Sequence, residues 1–162
     1  MARSILKLDD QRTTTYGTNS CIEINGKDIL KLPEKSVHKF RGEIVSMVFQ
    51  NPMHSLNPSF TIGAQLRRVL MAHSNYSRLD SKIKILSALK SVDLPGVEEL
   101  IQRYPHELSG GQCQRVMVAM AIICEPKLIV ADEPTSALDV TAQDKVLQIL
   151  KKLSIENKIA VL

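Results

Sequence analysis

The chain has 162 residues, 44% apolar and 23% charged, with 21 Lys+Arg against 17 Asp+Glu. This is the make-up of one ordinary globular domain, and seven Gly and seven Pro exclude collagen-like or low-complexity sequence. No apolar run approaches the roughly 18 residues of a membrane-spanning helix, and Met1-Ala2-Arg3-Ser4 lacks the apolar stretch of a secretory signal.

The excess of positive charge is spread evenly. Residues 1–54 carry 8 basic and 6 acidic groups, and residues 55–162 carry 13 and 11. With no basic cluster and 4% aromatic residues for base stacking, a nucleic-acid partner is not expected. Cys21, Cys113 and Cys124 are odd in number and form no C-x-x-C pair, which argues against a disulfide framework or a zinc site and fits a reducing compartment.

In chain order, Ala2–Leu8 reads as helix without an N-terminal cap, and residues 9–20 as a polar loop. Ser20–Ile24 alternates polar and apolar residues as a half-buried strand does, and Asn25-Gly26 is a hairpin-turn signal. A short helix is expected over Glu34–Phe40 and a buried strand over Ile44–Phe49. Asn51-Pro52 and Asn57-Pro58 then break the chain into turns. Helical periodicity follows over Ile62–Met71, Ser81–Val92, Val97–Arg103 and Ser109–Cys124, the last apolar enough to be buried on most sides, with Cys124 as filler. Leu128–Ala131 is a continuous apolar strand of the parallel-sheet type, Val140–Asn157 is helical, and Lys158–Leu162 begins another strand. Strands, a helical insert, then strand–helix–strand make an α/β fold with a helical subdomain. The expected division is 1–49 and 126–162 for the core and 50–125 for the insert.

Three segments carry chemistry. Asp132-Glu133 ends a buried parallel strand, where open α/β sheets bind ligands. Asp132 can hold Mg²⁺ through hard oxygen donors, and Glu133 can act as general base on a water; taken alone, the pair reads more readily as an acidic turn after a strand, which is common. Ser109-Gly110-Gly111-Gln112 heads the most apolar helix. Ser109 is a natural N-cap, and the two glycines let backbone N–H groups approach an anion, although Ser-Gly-Gly is also simply a good helix start. Gln50 ends a strand and can reach a metal-bound water, or be no more than a polar strand end.

Taken together, these segments have a specific order. Twenty positions separate Gln112 from Asp132, enough for a helix and a strand, and Ser136-Ala137-Leu138-Asp139 follows the acidic pair. This order resembles the nucleotide-binding domains of ABC transporters. Leu108–Gln112 looks like their signature motif, Leu128–Glu133 like Walker B with the catalytic glutamate, Gln50 like the Q-loop and Ser136–Asp139 like the D-loop. Gln114-Arg115 also match, while Cys113 stands where Arg or Gln is more usual. Asn51–Pro58 and Arg103–Glu107 are similar to the oligopeptide, dipeptide and nickel importer branch.

The resemblance implies a P-loop NTPase fold that binds ATP and Mg²⁺ and powers uptake of peptides or nickel. It implies Glu133, Gln50 and Asp139 as catalytic residues, Asp132 and Gln50 at the metal, and Ser109, Gly110, Gly111 and Gln112 at the nucleotide of a second ATP-binding subunit. It implies permease partners, an indirect partner in a substrate-binding protein, and a place at the cytoplasmic face of the membrane. A non-catalytic remnant, or a family ATPase without a permease, are the alternatives. The family's phosphate-binding G-x-x-x-x-G-K-[ST] is absent, since the only Gly-Lys pair, Gly26-Lys27, sits in the hairpin turn. None of His38, His54, His73 and His106 stands at the family's switch histidine, so all four read as surface or loop residues. The chain is therefore expected to be a segment that starts after the P-loop, with little ATPase activity of its own. Its unpaired sheet edges predict aggregation or partial disorder.

Overall fold

The computed structural model describes residues 2–8, 14–17, 19–73, 76–136 and 138–162. The elements in chain order are α1 (Ala2–Ile5), β1 (Glu23–Ile24), β2 (Lys27–Asp28), α2 (Glu34–Glu43), β3 (Val45–Val48), α3 (Pro52–Ser55), α4 (Ile62–His73), α5 (Arg78–Ser91), α6 (Val97–Leu100), α7 (Gly110–Ile122), β4 (Leu128–Ala131), α8 (Val140–Glu156) and β5 (Ala160–Val161). Short 3-10 turns occupy Ile29–Lys31 and Pro105–Glu107.

β1 and β2 form an antiparallel hairpin in which Glu23 faces Asp28 and Ile24 faces Lys27. Its turn residues Asn25 and Gly26 both have positive φ, 51° and 72°, as a tight primed turn requires. A separate parallel sheet has the order β3-β4-β5. Val45–Val48 pairs with Leu128–Ala131, and Leu128-Ile129 with Ala160-Val161. Helices α3 to α7 lie between β3 and β4 in sequence, so the whole helical insert separates two strands that are neighbours in space.

The insert and the sheet share one core. Val48 and Ile129 from the sheet, Ile62, Leu66 and Leu89 from the insert, and Leu153 from α8 belong to one buried apolar cluster. At about 25 cal/mol per Å² of apolar area removed from water, this continuity is the main stabilising term. α7 packs against α3, α4, α5, α8 and β3, which explains why its run Val116–Ile122 is apolar throughout. A smaller cluster (Leu6, Ile29, Phe40, Val45, Val130) joins the N-terminal segment to the other face of the sheet. Arg41 ties that segment down: its Nε donates to Leu6 O at 2.7 Å and Nη2 to Lys7 O at 2.8 Å.

Several expected elements differ in extent. The strand expected over Ser20–Ile24 is regular only at Glu23–Ile24, because Ile22 is engaged outside the ladder: its N–H donates to the Asp28 carboxylate at 3.4 Å and its carbonyl accepts the Ile29 N–H at 2.8 Å. The first helix stops at Ile5, before Lys7 at φ 51°. Glu34–Phe40 is helical as expected, and the chain breaks just beyond it at Arg41 and Gly42. α5 begins earlier than Ser81, at Arg78, because the Ser77 hydroxyl caps the Asp80 N–H. The third helix ends at Leu100 rather than Arg103, because the Ile101 and Arg103 carbonyls accept from Gly63 and Ile62 at the start of α4. Pro52–Ser55 forms a helical turn where breaks were expected, since proline suits a first helical position. Cys124 lies past the end of α7 and is half-buried rather than core. The last strand is confined to Ala160–Val161, after Lys158 at φ 55°. Residues 9–13 and 18 of the expected loop lie outside the described residues. Among the described residues, no helix is long and apolar enough to cross a membrane.

Candidate functional site

The parallel register of β3 and β4 brings their carboxyl ends level. Val48 is paired with Ala131, and the Asp132 N–H donates to Val48 O at 2.9 Å. Gln50 and Glu133 each stand two residues beyond these partners. Their side chains meet: Gln50 Nε2 donates to Glu133 Oε2 at 2.6 Å across 83 positions of sequence. The sequence suggested the two residues separately; strand pairing joins them.

Glu133 sits at φ 46°, a left-handed conformation that a side chain other than Gly, Asn or Asp seldom adopts. Such a residue costs about 1–3 kcal/mol and persists only where its surroundings hold it. Here the Ser136 N–H and hydroxyl both donate to Glu133 O, at 3.3 and 3.2 Å, closing the turn. The sharp turn brings the carboxylate out to the exposed strand end beside Gln50. Asp132 is half-buried, and its carboxylate has no ion-pair or hydrogen-bond partner among the described residues.

The donor set at this end suits a hard divalent cation. It offers the Asp132 carboxylate and the Gln50 amide oxygen, the amide being oriented by its N–H bond to Glu133. Mg²⁺ keeps several waters and takes one or two protein carboxylates together with phosphate oxygens, so so sparse a set is appropriate. Among the described residues, no group of three or more His, Cys, Asp or Glu side chains could hold a metal on its own.

The second part of the site is the start of α7. The Ser109 hydroxyl accepts the Gln112 N–H at 3.3 Å, and Gln112 Oε1 accepts the Ser109 N–H at 2.9 Å, a reciprocal capping box. Gln112, expected among the nucleotide contacts, thus has its oxygen engaged in the helix cap; its Nε2 remains to donate. The Gly110 and Gly111 N–H groups are first-turn donors with no partner within the helix. Both glycines face α8 and the loop before it. A Cβ on Gly111 would stand 3.1 Å from Ala142 Cβ, and one on Gly110 3.8 Å from Leu138 Cδ2.

A cleft of about 300 Å³ opens here, lined by Ser109, Gly110, Gly111, Arg115, Asp139 and Lys145, among others. Asp139, expected as a catalytic residue, caps α8: its Oδ1 accepts the Ala142 N–H at 2.9 Å. Gln50, Asp132 and Glu133 do not line this cleft. The structure therefore forms two stations, a carboxylate–amide pair at the sheet edge and an amide-rich helix start beside α8. The loop between them is fastened by Gln143, whose Nε2 donates to Thr135 O at 3.1 Å and Leu138 O at 3.0 Å.

Gln143 and Lys145 escaped the sequence reading. Their signal is position, since both fall within two turns of the Asp139 cap that follows the acidic turn. His38, His54 and His106 are exposed, as expected; His73 departs from the expectation of a surface or loop residue, since it ends α4 half-buried with its ring against Gly42. Ala137 lies outside the described residues.

A family model for ABC transporters matches residues 4–136. The chain belongs to the ABC transporter family. It is 47% identical over 138 residues to the oligopeptide transport ATP-binding protein OppD of Escherichia coli, covering 85% of this chain and 41% of that protein. It is 41% identical to the dipeptide transport ATP-binding protein DppD of Bacillus subtilis, over 90% of this chain and 43% of that one. A putative peptide import ATP-binding protein of Brucella melitensis is 40% identical over 99% of this chain and 48% of its own length. The chain thus spans less than half the length of these relatives. Its fold matches a solved dimeric ATP-binding cassette, MJ0796 bound to ADP and Pi, with a TM-score of 0.80 at 30% identity, covering 99% of this chain and 66% of that one.

Proposed function

We propose that this chain is part of the ATP-hydrolysing subunit of an importer of oligopeptides or dipeptides. The observation that carries the catalytic reading is the 2.6 Å bond between Gln50 and Glu133 at the ends of paired parallel strands. The peptide cargo rests on the names of the relatives, which concern peptide transport. Nickel shares the same motifs but none of those relatives' names.

Glu133 orients and deprotonates the attacking water, and Gln50 holds the carboxylate in place through its amide N–H, which leaves its amide oxygen available as a ligand. Asp132 and the Gln50 oxygen are the residues that hold Mg²⁺, which when bound neutralises charge on the phosphates. Ser109, Gly110 and Gly111 offer hydroxyl and amide donors to phosphate oxygens of a nucleotide on a second ATP-binding subunit. Separation of the two stations supports that arrangement, because each serves a different nucleotide in a head-to-tail pair. Asp139 acts by fixing the start of α8 beside the Gly110-Gly111 amides. Permease subunits, and through them a substrate-binding protein, complete the assembly at the cytoplasmic face of the membrane; the even charge supports no nucleic-acid partner.

By itself the chain hydrolyses little ATP, since Gly26-Lys27 lies in the β1–β2 turn rather than ahead of a helix. In the intact subunit, Glu133→Gln should reduce steady-state hydrolysis at least ~100-fold, the scale of a lost general base, while Mg-ATP binding persists. Undiminished hydrolysis would remove Glu133 from the mechanism.

A further inference from the structure

We propose that the cleft between α4 and α5 is a binding site for a phosphate group. It lies within the helical insert, away from both stations of the nucleotide site, and does not depend on the function proposed above.

The cleft has a volume of about 460 Å³. Three cationic side chains line it: Arg67 of α4 and Arg78 and Lys82 of α5. No carboxylate is among the lining residues. None of the three cations forms an ion pair or hydrogen bond among the described residues. Nearby acids are engaged elsewhere: Glu98, which feels the charge of Lys82, pairs with Lys90 at 3.3 Å, and Asp80 accepts the Ser77 hydroxyl at 2.6 Å.

The Nε of Arg67 is buried without a partner. A buried donor left unsatisfied is costly, more so when charged, so native structures seldom leave one without a ligand, ion or water. The Thr61 hydroxyl accepts the Ala64 N–H at 3.3 Å and keeps its own proton to donate. The backbone of the cleft is already satisfied: Ile62 and Gly63 donate to Arg103 O and Ile101 O, each at 2.9 Å. The site is therefore made by side chains and not by a helix end. Two guanidinium forks, an ammonium and a hydroxyl, all donors, match a tetrahedral oxyanion with several acceptor oxygens. A cationic ligand would be repelled, and a neutral one would leave the three positive charges uncompensated.

The same chemistry serves a free phosphate or the headgroup of an anionic lipid, and two arms of one experiment separate them. In the first, inorganic phosphate is titrated into the 162-residue chain while backbone amide resonances of residues 61–67 and 78–82 are followed by NMR. In the second, the chain is sedimented with vesicles of phosphatidylglycerol or of phosphatidylcholine. A free-phosphate site gives saturable shifts with a Kd of about 1 mM or tighter, as two or three charge-assisted bonds support. A headgroup site gives recruitment to phosphatidylglycerol but not to phosphatidylcholine.

Either effect should fall about tenfold or more in Arg67→Met. The exposed pair Arg78→Gln and Lys82→Gln, which leaves the core untouched, should do the same. Raising the salt should weaken binding as well. Absence of both effects, or persistence of either in the double variant, overturns the proposal.

Discussion

At the residue scale, the site depends on side chains that hold one another rather than on isolated reactive groups. Ser109 illustrates this. Its hydroxyl caps α7 and is also expected to face the phosphate of a neighbouring subunit, so one substitution removes two roles. Ser109→Ala should destabilise the fold by about 1 kcal/mol, the usual worth of such a cap, measured by chemical denaturation. The loss should be the same with and without nucleotide if capping is its only role, and larger with nucleotide if it also binds phosphate. The residues proposed to carry chemistry stand out in the sequence because their types are unusual where they stand: paired acids after an apolar strand, two glycines ahead of an apolar helix. What was not legible was their engagement. The Gln112 oxygen bonds the Ser109 N–H, and Asp139 bonds the Ala142 N–H. Only coordinates show a candidate ligand already committed to a helix end.

At the element scale, close approaches fix how the insert is assembled. Gly63 lies in α4 against the end of the segment that follows α6. A Cβ there would be 2.8 Å from Ile101 O. Gly→Ala inside a helix ordinarily gains up to about 1 kcal/mol, whereas overpacking against backbone costs about 1–3 kcal/mol. The clash should win, so Gly63→Ala should lower stability by about 1–2 kcal/mol on a denaturation curve. A gain would mean that α4 can slide away from Ile101. Strand β4 was read to the residue, since a four-residue apolar run bounded by Lys127 and Asp132 has few alternatives. The end of α6 was not, because the carbonyls of Ile101 and Arg103 are claimed by a helix almost forty positions earlier in the chain. Local periodicity carries no record of such a distant donor.

At the scale of the whole molecule, the continuous core predicts a graded response of the three thiols. Cys21 is exposed, Cys124 half-buried and Cys113 buried. Burial pushes the Cys113 and Cys124 thiols up, so both hold their protons more firmly than free cysteine and form less of the reactive thiolate. The Cys21 thiol is also raised, through desolvation and the nearby Asp28, but it is open to reagent. Iodoacetamide at mildly alkaline pH should therefore label Cys21 first and Cys124 next. Cys113 should react only as fast as the chain unfolds. Rapid labelling of Cys113 in the native chain would show that the α7 packing is loose. The sequence conveyed the class of fold through motif order. It could not convey that insert and sheet would share a single apolar cluster, because Val48 and Leu66 become neighbours only after the chain has folded back.

The bond between Gln50 and Glu133 has a consequence for the order of events in folding. It joins residues 83 positions apart, and the strands that carry them are parallel neighbours with the entire helical insert between. Closing a flexible loop of that length costs about 4 kcal/mol of chain entropy, and the short strands alone recover little of it. Pairing of β3 with β4 becomes favourable once α4, α5 and α7 have collapsed and brought the loop ends together. The carboxylate–amide pair is then expected among the last contacts to form, so a chain whose insert is still unfolded has its carboxylate and amide on separate, unpaired strands.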